Sequence, residues 1–116
     1  ISRIFTAVRD RWPDLELGLH MHERTGMAAA NMFAALNAGA KSVEGSICGI
    51  GGGIAMPGGM GDIGNLPTED IVNMLNRSDI DTGLDTDLIL TTAKKIETIL
   101  NIPSRSFAAR NKDIGV

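Results

Sequence analysis

His20 and His22 are the chain's only histidines, and they stand two residues apart at the end of a stretch in which Leu15, Leu17 and Leu19 alternate with Glu16, Gly18 and His20. In extended backbone an i, i+2 spacing puts both imidazoles on one face, where they can ligate a single cation, while the leucines face the other way. Two ligands do not define a site. The spacing alone therefore leaves two readings: a shared metal, or two loop histidines with no joint role. Farther along, Glu44 and Ser46 share one side of a second alternating stretch, and they read equally as partners for the imidazoles or substrate and as structural bonding groups. Nine of the fourteen glycines fall between Gly45 and Gly64. Such density marks backbone that takes positive φ or lets a ligand approach closely. Residues 49–64 read as a lid, with Gly51, Gly52 and Gly53 as its substrate-facing part. No G-K-[ST] or helix-opening G-x-G-x-x-G is present to make it a phosphate cradle.

The elements that would position these residues follow from periodicity. Ile1, Ile4, Phe5, Val8 and Trp12 recur at helical steps until Pro13 stops the helix. Residues 15–20 read as a strand and 25–37 as an Ala-rich helix, with Met27, Ala30, Ala34 and Ala38 on one face. Residues 42–48 read as a second strand. Thr68 can cap a helix through Leu75, where Glu69 and Asp70 have a sufficient local explanation at its positive end. A last helix uses Leu84, Leu88, Ile89, Ala93, Ile96 and Leu100 and ends before Pro103. Met27, Met32 and Met74 read as core filling, Cys48 as a packed small residue, and Lys94 and Lys95 as a solvated face.

Strands separated by a helix are parallel and joined by a right-handed crossover, so the class is α/β. A TIM barrel needs eight such units over about 250 residues, and this chain supplies two strands. A two-stranded parallel sheet is a poor stand-alone fold. The expectation is the carboxyl-terminal portion of a (β/α)8 barrel, incomplete as given, with residues 1–103 the partial barrel, 104–116 a tail, and an amino-terminal barrel segment as partner.

Composition narrows the partners. With 43% hydrophobic and 22% charged residues the chain is an ordinary globular sequence. A net charge of -3 without clustering provides no footprint for nucleic acid or an anionic membrane. Aromatics at 3%, without Tyr, argue against carbohydrate stacking and single-stranded nucleic acid. One cysteine excludes an intrachain disulfide and suggests a reducing, cytoplasmic setting. The opening residues lack the apolar core of a signal peptide and a starting Met, so the chain is expected to be a piece of something longer.

The run HMHERTGMAAANMFAALNAGAKSVEGS, then CGIGGG, GNLPTEDIVNML and TGLD, resembles the carboxyl-terminal part of the TIM-barrel metallolyases over roughly residues 17–90. That family includes 3-hydroxy-3-methylglutaryl-CoA lyase, isopropylmalate and homocitrate synthases, and 4-hydroxy-2-oxovalerate aldolase. Gly64 to Asp70 is most similar to the lyase branch. The resemblance implies that His20, His22 and Asn65 are ligands of a divalent cation, Mg²⁺ or Mn²⁺, with an aspartate from the missing first strand and a catalytic arginine beside it. It implies His20 and Glu44 as catalytic groups, an acyl-CoA or a keto or hydroxy acid as the small-molecule partner, and a homo-oligomer.

The chain departs from the lyase pattern at Gly53, where lyases carry a catalytic cysteine after G-L-G-G, and about three extra residues precede Asn65. Glu44 replaces a lyase aspartate, and the VEGS spelling is closer to the synthases. The implied activity is carbon–carbon cleavage of a 3-hydroxyacyl-CoA to an acyl-CoA and a keto acid, with the chain as supplied inactive by itself. The alternatives are a Claisen condensation of acetyl-CoA with an α-keto acid, and a non-catalytic fragment that packs against a partner.

Overall fold

The computed structural model describes residues 1–23, 25–52 and 64–111. Along them run α1 (Ser2–Arg11), β1 (Gly18–His20), α2 (Ala28–Asn37), β2 (Ser42–Glu44), a 3₁₀ turn (Ile47–Gly49), α3 (Thr68–Arg77), α4 (Thr86–Leu100) and α5 (Phe107–Arg110). β1 and β2 pair in parallel, with Gly18 opposite Ser42, Leu19 opposite Val43 and His20 opposite Glu44. α2 is the crossover between them. The pleat sends Leu19 and Val43 toward the helices, where they pack with Phe5, Met32 and Ala35, and leaves Gly18, His20, Ser42 and Glu44 on an exposed opposite face. Burying side chains of this size contributes about 1.5–3 kcal/mol each. The body measures 46 × 39 × 21 Å, thin because helices cover only one face of the sheet. These are two consecutive β/α units, and the two-stranded sheet they form is not closed among the described residues.

Several boundaries differ from the sequence expectations. β1 keeps only the last three of residues 15–20, and β2 only the first three of 42–48. After Glu44 the chain bends into the 3₁₀ turn, with Cys48 left-handed at φ 57°. Its N–H lies between both carboxylate oxygens of the buried Glu69, at 2.9 and 3.0 Å, so it is withdrawn from any ladder. Pro67, not Thr68, is the residue preceding α3, and no side chain caps that helix. α2 begins at Ala28 and buries Ala28, Met32 and Ala35, a face rotated from the expected one, so Met27 is exposed rather than core. Arg9 from α1 donates to the Ala38 carbonyl at 3.0 Å and satisfies the end of α2.

Residues 104–111, read from sequence as the start of a tail, fold back onto the body. Ser104 and Ser106 are buried. Asp70 accepts the Ser106 hydroxyl at 2.7 Å and the Phe107 and Ala108 N–H groups at 3.1 and 2.8 Å, which fixes α5 on α3. Glu97 accepts the Ser104 N–H at 2.7 Å, and that bond holds its carboxyl below the usual range. Among the described residues no helix is long and apolar enough to cross a membrane. Asp70→Ala orphans one buried and two part-buried donors, at a cost of about 2–3 kcal/mol. Chemical denaturation of the full-length protein should show that loss, and hydrogen exchange should show protection falling first at residues 104–111.

Candidate active site

The two histidines reach one place because β1 continues past His20 in extended form. At Met21 to Glu23 the chain pairs antiparallel with Gly64 to Leu66: Glu23 N–H donates to the Gly64 carbonyl at 3.1 Å and Leu66 N–H to the Met21 carbonyl at 3.0 Å. These bonds bracket His22 and Asn65 as directly opposed bridge partners. In such a non-hydrogen-bonded pair the two side chains project to the same side and lie closest together. The His20 and His22 rings stand edge to face with centroids 5.4 Å apart. The sheet register supplies Glu44, whose Oε2 is 3.3 Å from His20 Nδ1. That contact fixes which ring nitrogen faces the carboxylate and leaves Nε2 as the nitrogen turned to other work.

Asn65 is oriented by the start of the glycine segment. Its Nδ2 donates to the Ile50 carbonyl at 2.9 Å, which settles the amide orientation. Its Oδ1 is buried and has no hydrogen-bond partner among the described residues. Gly51, at φ 91°, lies so close that a Cβ there would come within 2.8 Å of Nδ2, so both its conformation and its lack of a side chain are required. Gly52 follows it, while Gly53 and the rest of the expected lid, up to residue 63, lie outside the described residues. Ser46 is resolved toward its structural reading, because its hydroxyl donates to that same Ile50 carbonyl.

A buried amide oxygen without a partner is costly unless something electropositive meets it. Two imidazoles and an amide oxygen suit an octahedral cation of the Mg²⁺ or Mn²⁺ type, which takes oxygen and imidazole donors. The residues present fit such a group but do not complete it: no three His, Cys, Asp or Glu side chains among the described residues form an ion site of their own.

Cys48 is packed as the sequence suggests. It is 1% exposed, and its thiol donates to the Ala93 carbonyl of α4 at 3.3 Å. Burial pushes its thiol up, with the Glu69 carboxylate adding to that. Burial likewise raises the Glu69 carboxyl, against the opposing hydrogen bonds of the main chain. Sequence reasoning missed the Ile50 carbonyl, which no side-chain pattern can reveal, and weighed Glu69 as a site contact but favoured the simpler explanation of its first-turn position. It also missed Glu23 and Arg105, which line a cavity of about 470 Å³ beside Asn65.

Fold and site together define a β/α-barrel chain of the kind that carries its chemistry at the strand ends. The family model described as HMGL-like matches residues 1–96, and the chain belongs to that family. It is 38% identical over 108 residues to the hydroxymethylglutaryl-CoA lyase YngG of Bacillus subtilis, covering 91% of this chain and 35% of that one. It is 33% identical over 97 residues to the 4-hydroxy-2-oxovalerate aldolase of a Marinomonas species, covering 83% and 26%. Among solved structures, an HMG-CoA lyase from Acinetobacter baumannii in complex with coenzyme A and 3-methylmalate superposes with a TM-score of 0.84 at 31% identity, covering 94% of this chain and 35% of that one. The chain thus spans about a third of the length of the lyases it matches.

A packed thiol with a raised pKa is inert. Cys48 should resist iodoacetamide in the native full-length protein near neutral pH and react fully once unfolded; mass spectrometry of the alkylated peptide reads both states.

Proposed function

We propose that the full-length protein is a divalent-metal-dependent carbon–carbon lyase of the hydroxymethylglutaryl-CoA lyase type, cleaving a 3-hydroxyacyl-CoA to an acyl-CoA and a keto acid. The observation that carries the reading is the orphaned Asn65 Oδ1 on the same side as His22 and one pleat from His20. Similarity to lyases over most of this chain supports it. His20, His22 and Asn65 would hold Mg²⁺ or Mn²⁺ together with a donor from outside this chain. Bound there, the cation supplies Lewis-acid polarisation of the substrate oxygen on which charge changes.

In the cleavage, the 3-hydroxyl proton leaves to the His20–Glu44 pair as its oxygen becomes the new carbonyl. The bond between C2 and C3 breaks, and its electron pair passes to C2, delocalised into the thioester. Return of that proton to C2 then gives the acyl-CoA and restores the pair. Glu44 orients His20 through Nδ1, and its carboxylate would take the proton while Nε2 of the ring faces the cation. The glycine segment, beginning at Gly51 and Gly52, would bound the substrate from the loop side. Because a first-strand donor is absent from residues 1–116, this chain by itself would lack turnover.

The test uses the full-length protein with Mn²⁺ and 3-hydroxy-3-methylglutaryl-CoA, following acetyl-CoA and acetoacetate release. His20→Ala, His22→Ala and Asn65→Ala should each lower kcat/KM by about 10²–10³. His22→Ala and Asn65→Ala should also weaken Mn²⁺ binding read by electron paramagnetic resonance. Acetyl-CoA consumption with an α-keto acid, in place of release, would favour the condensing direction. Silence in both assays, with Mn²⁺ affinity indifferent to the substitutions, would overturn the reading in favour of a non-catalytic packing role.

A further inference from the structure

Arg105 has no part in the cleavage above, yet its backbone is held at several points. Its N–H donates to the Cys48 carbonyl at 3.0 Å, its neighbours Ser104 and Ser106 are buried, and Asp70 fixes the next turn. The side chain lies across the two ends of the glycine segment. Nη1 is 3.4 Å from the Gly49 carbonyl, and a Cβ at Gly64 would overlap that nitrogen and the Gly49 oxygen. Gly64 therefore makes room for a guanidinium beside Asn65.

The guanidinium is underused where it lies. A planar fork of five N–H donors matches carboxylate and phosphate oxygens, but among the described residues its side chain has one long carbonyl contact and no carboxylate partner. The cavity it borders, of about 470 Å³, contains Asn65 and two acidic side chains. Asp70 is spent on α5. Glu23 is not: its Oε1 is buried with no hydrogen-bond partner among the described residues. A cavity with a cation on one wall and an unsatisfied acceptor on another selects against a bare polyanion, which Glu23 repels, and in favour of a segment with one anionic group and one donor.

We propose that Arg105 and Glu23 form the two poles of a recognition subsite beside Asn65, Arg105 taking a carboxylate or phosphate of the ligand and Glu23 accepting from an N–H or O–H of the same molecule. The proposal rests on the lyase reading for its substrate, not for its geometry. With 3-hydroxy-3-methylglutaryl-CoA and Mn²⁺, Arg105→Gln in the full-length protein should raise KM about tenfold or more with kcat within about threefold, and Arg105→Lys should restore part of the loss. Glu23→Gln should raise KM by about threefold or more. The same comparison with the pantetheine thioester separates the sources: a persisting rise places the acyl carboxylate on Arg105, and a rise that vanishes places a nucleotide phosphate there.

An unchanged KM in Arg105→Gln overturns the subsite. Should that variant fail to fold, Arg105→Lys carries the test, with an expected rise of about threefold. If the wild type cleaves nothing, the lyase reading fails separately, and calorimetric titration with coenzyme A and with 3-hydroxy-3-methylglutarate still decides the subsite. Binding weakened about tenfold by Arg105→Gln supports it; equal binding by both proteins, or no binding of either compound by the wild type, overturns it.

Discussion

Four main-chain hydrogen bonds hold Gly64 to Thr68 against the ends of both strands, and the arrangement of the site depends on them. Glu23 and Leu66 make the two bonds to the β1 side, while Ser46 N–H to the Leu66 carbonyl and Thr68 N–H to the Ser46 carbonyl make the two to the β2 side. The segment is thereby wedged between two parallel strands that are already in register. It sets Asn65 opposite His22 and launches α3 from Pro67. Because the clip is backbone-mediated, it is indifferent to what the intervening glycine segment does. Three extra residues in a loop of this size cost only about 0.2 kcal/mol of closure entropy, so Asn65 can keep its place while the loop ahead of it grows.

The clip also explains where charge is buried. Once α3 starts at Pro67, its first turn lies against the 3₁₀ turn on one side and residues 104–108 on the other, so Glu69 and Asp70 face donors in opposite directions. Each carboxylate satisfies main-chain N–H groups that leave regular structure: Glu69 that of left-handed Cys48, Asp70 those opening α5. Buried charges of this kind are tolerated because they are hydrogen-bonded by several donors. Their effect is to brace the floor from which Ile50, Gly51 and Arg105 approach the mouth.

Much of this architecture was legible in the sequence because it rests on periodicity. The α1, α2 and α4 patterns, the two-residue alternation ending at His20, and the crossover that makes the strands parallel are local or nearest-neighbour features. The histidine pair was legible for the same reason. What was hidden is non-local. The early end of β2 depends on a carboxylate 21 residues from Cys48, and the docking of residues 104–111 depends on one 36 residues from Ser106. An aperiodic stretch such as Pro103 to Arg110 carries no face to recognise, so its two buried serines read as a tail. The rotation of the α2 face is a subtler case: an Ala-rich helix has little hydrophobic contrast around its circumference, and the sheet, not the pattern, decides which alanines are buried.

The position of Cys48 bears on the chemistry in a way the loop sequence alone does not. Lyases of the resembled pattern carry a thiol after the glycine run, and this chain has Gly53 there. Cys48 is no substitute. Its thiol points to the Ala93 carbonyl on the α4 side, is buried, and is pushed away from its thiolate form by burial and by Glu69. The exposed face of the sheet, by contrast, bears His20 with Glu44 at 3.3 Å. On the proposed reading, the group among the described residues that would exchange a proton at the strand ends is therefore the Glu44 carboxylate, held against His20. Glutamate stands at position 44, where the resembled lyases carry the shorter aspartate, and its carboxylate meets Nδ1 across the strand pair.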